Sequence, residues 1–80
     1  MKARVFVSLK KSVLDPQGKT IHHSLQNLGY ANITGVRQGK FFELDLGSNV
    51  NRETAGPEIE KIARSVLVNP VIEEFRYEIE

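Results

Sequence analysis

The sequence predicts an α+β fold: a two-layer sandwich with one antiparallel sheet and two helices on one face of it. Three observations carry the prediction. Val5, Val7 and Leu9 alternate with Arg4, Phe6, Ser8 and Lys10, and Phe42, Leu44 and Leu46 alternate with Phe41, Glu43 and Asp45. That period of two marks strands with one buried face. Two other stretches carry apolar residues at helical spacing. In chain order these stretches read strand, helix, two strands, helix, strand.

Ala3–Lys10 is the first strand, supported by its β-branched residues as well as its period. Lys11–Leu14 is a connector. Asp15-Pro16 starts a helix, because Asp caps free amides of the first turn and Pro at the first helical position sacrifices no hydrogen bond. Ile21, Leu25 and Leu28 make one apolar stripe at i, i+4 and i+7, and Gly29 ends the helix in the left-handed conformation. Gly18, a poor helix former inside the first turn, implies that something packs close to the backbone there.

Ile33–Gln38 and Phe41–Leu46 read as a hairpin turning at Gly39-Lys40, with Gly35 hinting at a bulge. Gly47–Ala55 reads as a polar loop. The second helix is expected to begin near Gly56-Pro57, because proline deep inside a helix costs about 3 kcal/mol. Ile59, Ile62, Ala63, Val66 and Leu67 form its apolar face, and Asn69-Pro70 stops it. Val71–Ile79 is the last strand. The order β-α-β-β-α-β with right-handed crossovers gives the ferredoxin-like arrangement with four strands. Strands one and three are then central. The inward set is Val5, Val7, Leu9, Phe42, Leu44, Leu46, Phe75, Tyr77 and Ile79 with both helix stripes.

Eighty residues form a single domain, 1–80. A chain this short buries roughly 60–65% of its unfolded surface, too little for a core and a deep enclosed active site together. Eleven basic against ten acidic side chains give a net charge of +1. That balance argues against non-specific nucleic-acid binding, which depends on neutralising phosphates. The absence of cysteine excludes disulfides, thiolate chemistry and Cys-based zinc sites. The N-terminus MKARVFVSLKK is too short and too charged for a signal peptide, and no apolar run approaches the roughly 20 residues of a membrane helix. A cytoplasmic protein without membrane partners is the expectation.

The sheet face away from the helices would carry Arg4, Phe6, Ser8, Lys10, Phe41, Glu43, Asp45, Ile72, Glu74 and Arg76. Two aromatics on adjacent strands make a patch, and a patch suggests contact. Phe6, Phe41, Ile72, Arg4 and Glu43 are therefore the candidate oligomer-interface residues. Solvated scatter and stacking on a ligand or nucleic acid are the other readings of this face. Its mixed charges could pair across strands or across a two-fold axis.

Chemistry-bearing constellations are missing from the pattern. His22 and His23 are helix neighbours pointing about 100° apart, so they cannot chelate one ion. There is no phosphate-binding glycine motif. No catalytic or metal-binding residues are assigned. Arg37-Gln38-Gly39-Lys40 reads either as a solvated β-turn or as a basic tip docking on a partner or phosphate.

Four motifs, in order and at this spacing, carry a resemblance over nearly the whole chain. They are Val13-Leu14-Asp15-Pro16-Gln17-Gly18, Leu28-Gly29, Val36-Arg37-Gln38-Gly39-Lys40 and Asn69-Pro70-Val71-Ile72-Glu73. In them the chain resembles the PurS family, the small subunit of phosphoribosylformylglycinamidine synthase. The Gly56-Pro57 pair departs from the longer glycine-free run of helix formers that the family usually carries there. The resemblance implies a non-catalytic subunit bridging a glutaminase subunit and a large synthetase subunit, and supporting ammonia transfer between them. It also implies a homodimer or dimer of dimers, with ATP and Mg used by the complex and no cofactor bound by this chain. By motif match, Asp15, Pro16, Gly18, Arg37, Gly39, Lys40, Asn69 and Pro70 are the candidate partner-binding residues.

Two other classes compete. An RNA-recognition-like module would stack bases on Phe6 and Phe41, but GKFFELDL lacks the aromatic pattern of such modules and Glu43 and Asp45 repel phosphate. A ligand-sensing regulatory domain of the same fold would normally be fused to an enzyme.

Overall fold

The computed structural model describes all residues, 1–80. Lys2–Leu9 (β1) lies at the centre of a three-stranded antiparallel sheet. Gly39–Asp45 (β2) pairs on one side, from Lys2 opposite Asp45 to Ser8 opposite Gly39. Glu73–Ile79 (β3) pairs on the other, from Ala3 opposite Ile79 to Leu9 opposite Glu73. The alternating pattern sets the faces as expected. Ala3, Val5 and Val7 are fully buried, and their register partners Phe42, Leu44, Phe75 and Ile79 pack against that core.

Pro16–Asn27 (α1) starts as the sequence predicts: Asp15 caps it through the Gly18 amide, and Pro16 is the first helical residue. Gly29, with φ of 96°, takes the left-handed turn after its end. The second helix, Arg52–Ile62 (α2), runs into a π-helical turn at Ala63–Leu67. Ala55, Ile59 and Ala63 are its buried side chains, and Val68 closes the core behind them.

The sheet has three strands rather than four. Ile33–Gln38 forms no strand. Its half-buried residues are Ile33 and Val36, three apart, so they cannot share a strand face of period two. The Gln38 amide is drawn instead to the Asp15 carboxylate at 2.7 Å. Gly35 consequently marks no bulge, and Gly39-Lys40 opens β2 instead of turning a hairpin. Gly39 lies so close to β1 that a Cβ there would meet the Val7 carbonyl at 2.5 Å.

Helix α2 begins at Arg52, four residues before the expected Gly56-Pro57 start. The Asn51 side chain caps it through the Glu53 amide, and Pro57 lies inside it. The bond that Pro57 cannot donate would end on the Glu53 carbonyl, and both residues are exposed to water. Burying Ala55 and packing Gly56 against the Tyr77 hydroxyl, which a Cβ would meet at 3.3 Å, offset the loss. Val66, expected on the inward face, is 75% exposed. The wider π turn shifts the phase, so Val66 rotates outward while Leu67 and Val68 meet the core. The last strand begins at Glu73 rather than Val71. Asn69 captures the Val71 amide with its side chain and the Ile72 and Glu73 amides with its carbonyl, a tight turn that keeps Val71 and Ile72 out of the sheet.

The largest departure is α1, which does not cover the sheet. Gly18 is its one buried residue, and Ile21 and Leu28 are 42% and 73% exposed. A single helix therefore lies on the sheet face where two were expected. The molecule is correspondingly long, 51 × 25 × 14 Å, with a radius of gyration of 16.1 Å. A compact chain of this length would have about 12 Å. Its accessible surface is 5963 Å², whereas a folded monomer of this mass exposes about 4,900 Å².

Candidate assembly surfaces

All eight residues singled out by motif lie at one end of the sheet, where β1 ends and β2 and β3 begin. Asp15 is buried and holds two elements at once: Oδ1 accepts from the Gly18 amide at 3.0 Å, and Oδ2 accepts from the Gln38 amide at 2.7 Å. The Gln38 bond, then the Gly18 bond, hold its carboxyl below the ordinary value of 3.8. Burial opposes them, and the charge of Arg37 adds to them.

Arg37 works the same joint from the other side. Its Nη2 donates to the carbonyls of Leu9, Lys10 and Val13 at 3.2, 2.8 and 3.1 Å, tying the connector after β1 to the stretch before β2. Gly18 has to be glycine, since a Cβ there would come within 2.5 Å of both the Val36 carbonyl and the Asp15 carboxylate. Pro16 sets the first turn of α1. The Asn69-Pro70 turn reaches the same corner. The Lys10 amide donates to the Ile72 carbonyl, the Asn69 amide donates to Glu73 Oε1 at 2.7 Å, and Lys40 Nζ lies 3.6 Å from Glu73 Oε2.

These residues are thus brought together, but their polar groups are largely spent within the chain. Sequence reasoning missed Gln38, Gln17 and Glu73 as members of the joint; Gln38 Nε2 donates to Gln17 Oε1 at 2.7 Å. Only the position of all three inside the motifs signalled them.

The face of the sheet away from α2 is built in rows. In one row Phe41, Phe6 and Arg76 lie side by side on β2, β1 and β3. The two rings are stacked, with centroids 5.9 Å apart and an interplanar angle of 26°, and the Arg76 guanidinium sits 4.1 Å from the Phe6 centroid. The next row is Glu43, Arg4 and Glu78. Arg4 bonds Glu80 and approaches Glu43 at 4.0 Å, while Arg76 pairs with Glu78 at 2.8 Å. Arg4, Glu43 and Arg76 therefore meet partners within the chain. Phe41 is 55% exposed, whereas Phe6 is flanked by Phe41 and Arg76, which leaves little open ring for base stacking. Ile72 sits in the turn before β3 and does not extend this patch.

A second apolar surface was not foreseen. The stripe of α1, with Leu14 and Tyr30 beyond its ends, faces water. On the sheet, Phe42, Leu44 and Leu46 pack against the edge of the core but stay half-buried, since the closest approach of α2 to the sheet's outer strands is to β3. The sequence marked both as core, which they are not within one chain.

His22 Nε2 lies 2.7 Å from the Ile33 carbonyl, pinning the stretch after α1 to the helix, while His23 is exposed. No three His, Cys, Asp or Glu side chains are grouped to hold a metal ion. No helix is long and apolar enough to cross a membrane.

Comparison with known proteins places these surfaces in context. Residues 2–80 match the family model described as PurS, phosphoribosylformylglycinamidine (FGAM) synthase. The PurS subunit of Bacillus subtilis (strain 168) is 40% identical over 79 residues, 99% of this chain and 92% of that protein. The one from Mycobacterium leprae (strain TN) is 43% identical over 74 residues, 92% of this chain and 89% of that one. Among solved structures, PurS of Methanocaldococcus jannaschii is described as one of the subunits of formylglycinamide ribonucleotide amidotransferase in the purine biosynthetic pathway. It superposes with a TM-score of 0.85 at 35% identity, covering 99% of this chain and 94% of that one. A chain in the PurLQS structure from Thermotoga maritima superposes with a TM-score of 0.84 at 31% identity, covering 96% and 93%.

Proposed function

The chain belongs to the PurS family and is a subunit of phosphoribosylformylglycinamidine synthase in purine biosynthesis, and on that premise we propose that it works as the non-catalytic bridge of the complex. It joins a glutaminase subunit, which releases ammonia from glutamine, to a large synthetase subunit. The synthetase uses ATP and Mg to activate formylglycinamide ribonucleotide and attaches that ammonia. This chain binds neither cofactor. It acts in the cytoplasm as a homodimer or a dimer of dimers, supporting the passage of ammonia by holding its partners in place.

One observation carries the proposal: about 1,100 Å² of surface beyond what a compact monomer of this mass exposes. Exposed apolar side chains such as Leu14, Ile21, Leu28, Tyr30 and Phe41 contribute to the surface, and a binding subunit needs such surface. The joint built by Asp15, Gly18, Arg37 and Gly39 sets the pose of α1, and Lys40, Asn69 and Pro70 complete the corner that faces a partner.

Reconstitution with the two partner subunits tests this. Adding the chain raises glutamine-dependent product formation while ammonia-dependent formation barely changes. Equal glutamine-dependent rates with and without it contradict the bridging role.

A further inference from the structure

We infer that a notch on the open face of the sheet, away from α2, seats an arginine that a partner subunit presents beside an apolar side chain. The inference rests on the bridging role proposed above and says where one partner grips.

The notch has a volume of about 510 Å³ and lies where the sheet ends, bounded by Phe6, Ser8, Gly39, Phe41, Glu74 and Arg76. Its floor is the row Gly39, Ser8 and Glu74, side by side on β2, β1 and β3. Gly39 keeps that floor low. A Cβ there would stand 3.4 Å from the Ser8 Cβ, but it would also meet the Val7 carbonyl at 2.5 Å. The close backbone approach that demands glycine therefore also strips one side chain from this face. In the next row the stacked rings of Phe6 and Phe41 make an apolar wall, and Phe41 is more than half exposed.

Charge selects the occupant. Arg4, Glu43, Arg76 and Glu78 on this face find ion partners within the chain, whereas the exposed Glu74 carboxylate at the end of the floor has none. Arg76 is committed to Glu78 and to the Phe6 ring, and Lys10, just past the end of β1, forms no ion pair with Glu74. A guanidinium suits both features of the notch: its planar fork bonds a carboxylate at two points, and its flat faces stack on aromatic rings. Arg76 already makes the second kind of contact on this face, 4.1 Å from the Phe6 centroid. A phosphate-bearing ligand would be repelled by Glu74. A second copy would have to bring an arginine, and both arginines of its own open face are paired. Arginine among aromatic and apolar contacts is also the side chain that interfaces between different proteins favour.

Titration of the chain into the glutaminase subunit and into the synthetase subunit, each alone, tests this. Glu74→Arg and Phe41→Ala should keep the circular dichroism of the parent yet bind one of the two partners at least about tenfold more weakly. Glu58→Arg, the same charge change on an exposed residue of α2, should bind as the parent does. The Kd of the parent should rise more steeply with salt than that of Glu74→Gln, which keeps the shape and loses the charge. Undiminished binding of Glu74→Arg to both partners, an equal loss in Glu58→Arg, or parallel salt dependences overturn the inference and leave the bridging role standing. Sedimentation of the isolated chain runs in parallel: a Glu74→Arg that alters only self-association gives the notch to a second copy and likewise overturns it. A parent chain that binds neither partner removes the bridging role itself.

Discussion

Asp15 shows how much a single side chain decides. Its position before Pro16 made it legible as a helix cap. Its second bond, to the Gln38 amide 23 residues away, was not legible, because nothing in local spacing reports which distant amide a carboxylate will meet. The consequence is a pH dependence whose sign follows from the lowered titration. A carboxyl held below its ordinary 3.8 in the folded state contributes stability that is fully present above 3.8 and is lost as pH falls through the folded value. Urea titrations across that range should show the parent chain losing stability on acidification more steeply than Asp15→Asn, which cannot ionise and starts from a lower value at neutral pH. Parallel acid profiles would mean that the ionised carboxylate is not what holds the joint. Arg37 teaches a related lesson. In the sequence it read as a solvated charge or a docking tip, yet its three carbonyl partners make it an internal tie.

At the level of elements, what was legible followed burial. The strands with a strict period of two appear as the pattern requires, with Val5 and Val7 buried and Phe42, Leu44, Phe75 and Ile79 packed against them, while Tyr77, expected inward, is exposed. Ile33–Gln38 failed because its apolar residues never held that period, and its glycine and polar side chains fit a connector equally well. The start of α2 was misplaced because the proline rule speaks of an isolated helix. Here Ala55 and Ile59, at 1% exposure each, fix the helix from the core side and Asn51 caps it five residues upstream of Gly56. The rule still has a measurable residue. Pro57→Ala should restore the bond to the Glu53 carbonyl and raise the unfolding free energy by about 1–2 kcal/mol, the helix-interior penalty less the stiffness proline lends the unfolded chain. Chemical denaturation checks it; a loss of stability would mean that Pro57 makes a packing contact worth more than the missing hydrogen bond.

For the whole molecule, the composition announced a small binding domain and the motifs announced its family, while the way α1 is deployed was hidden. An amphipathic stripe states that a helix needs cover and says nothing of whose surface supplies it. The four-stranded, two-helix sandwich that the pattern predicts is thus reached only in part by one chain, which buries nine of its 80 residues. Hydrophobic burial drives folding in proportion to area. A chain that leaves its first helix and one strand half bare is therefore expected to close that surface against a copy of itself, and to present the closed body to its larger partners. Light scattering combined with small-angle X-ray scattering on the isolated protein tests this most directly. The account predicts a particle of twice 9.0 kDa that dissociates only on dilution; a particle of 9.0 kDa with a radius of gyration near 16.1 Å at high concentration would contradict it.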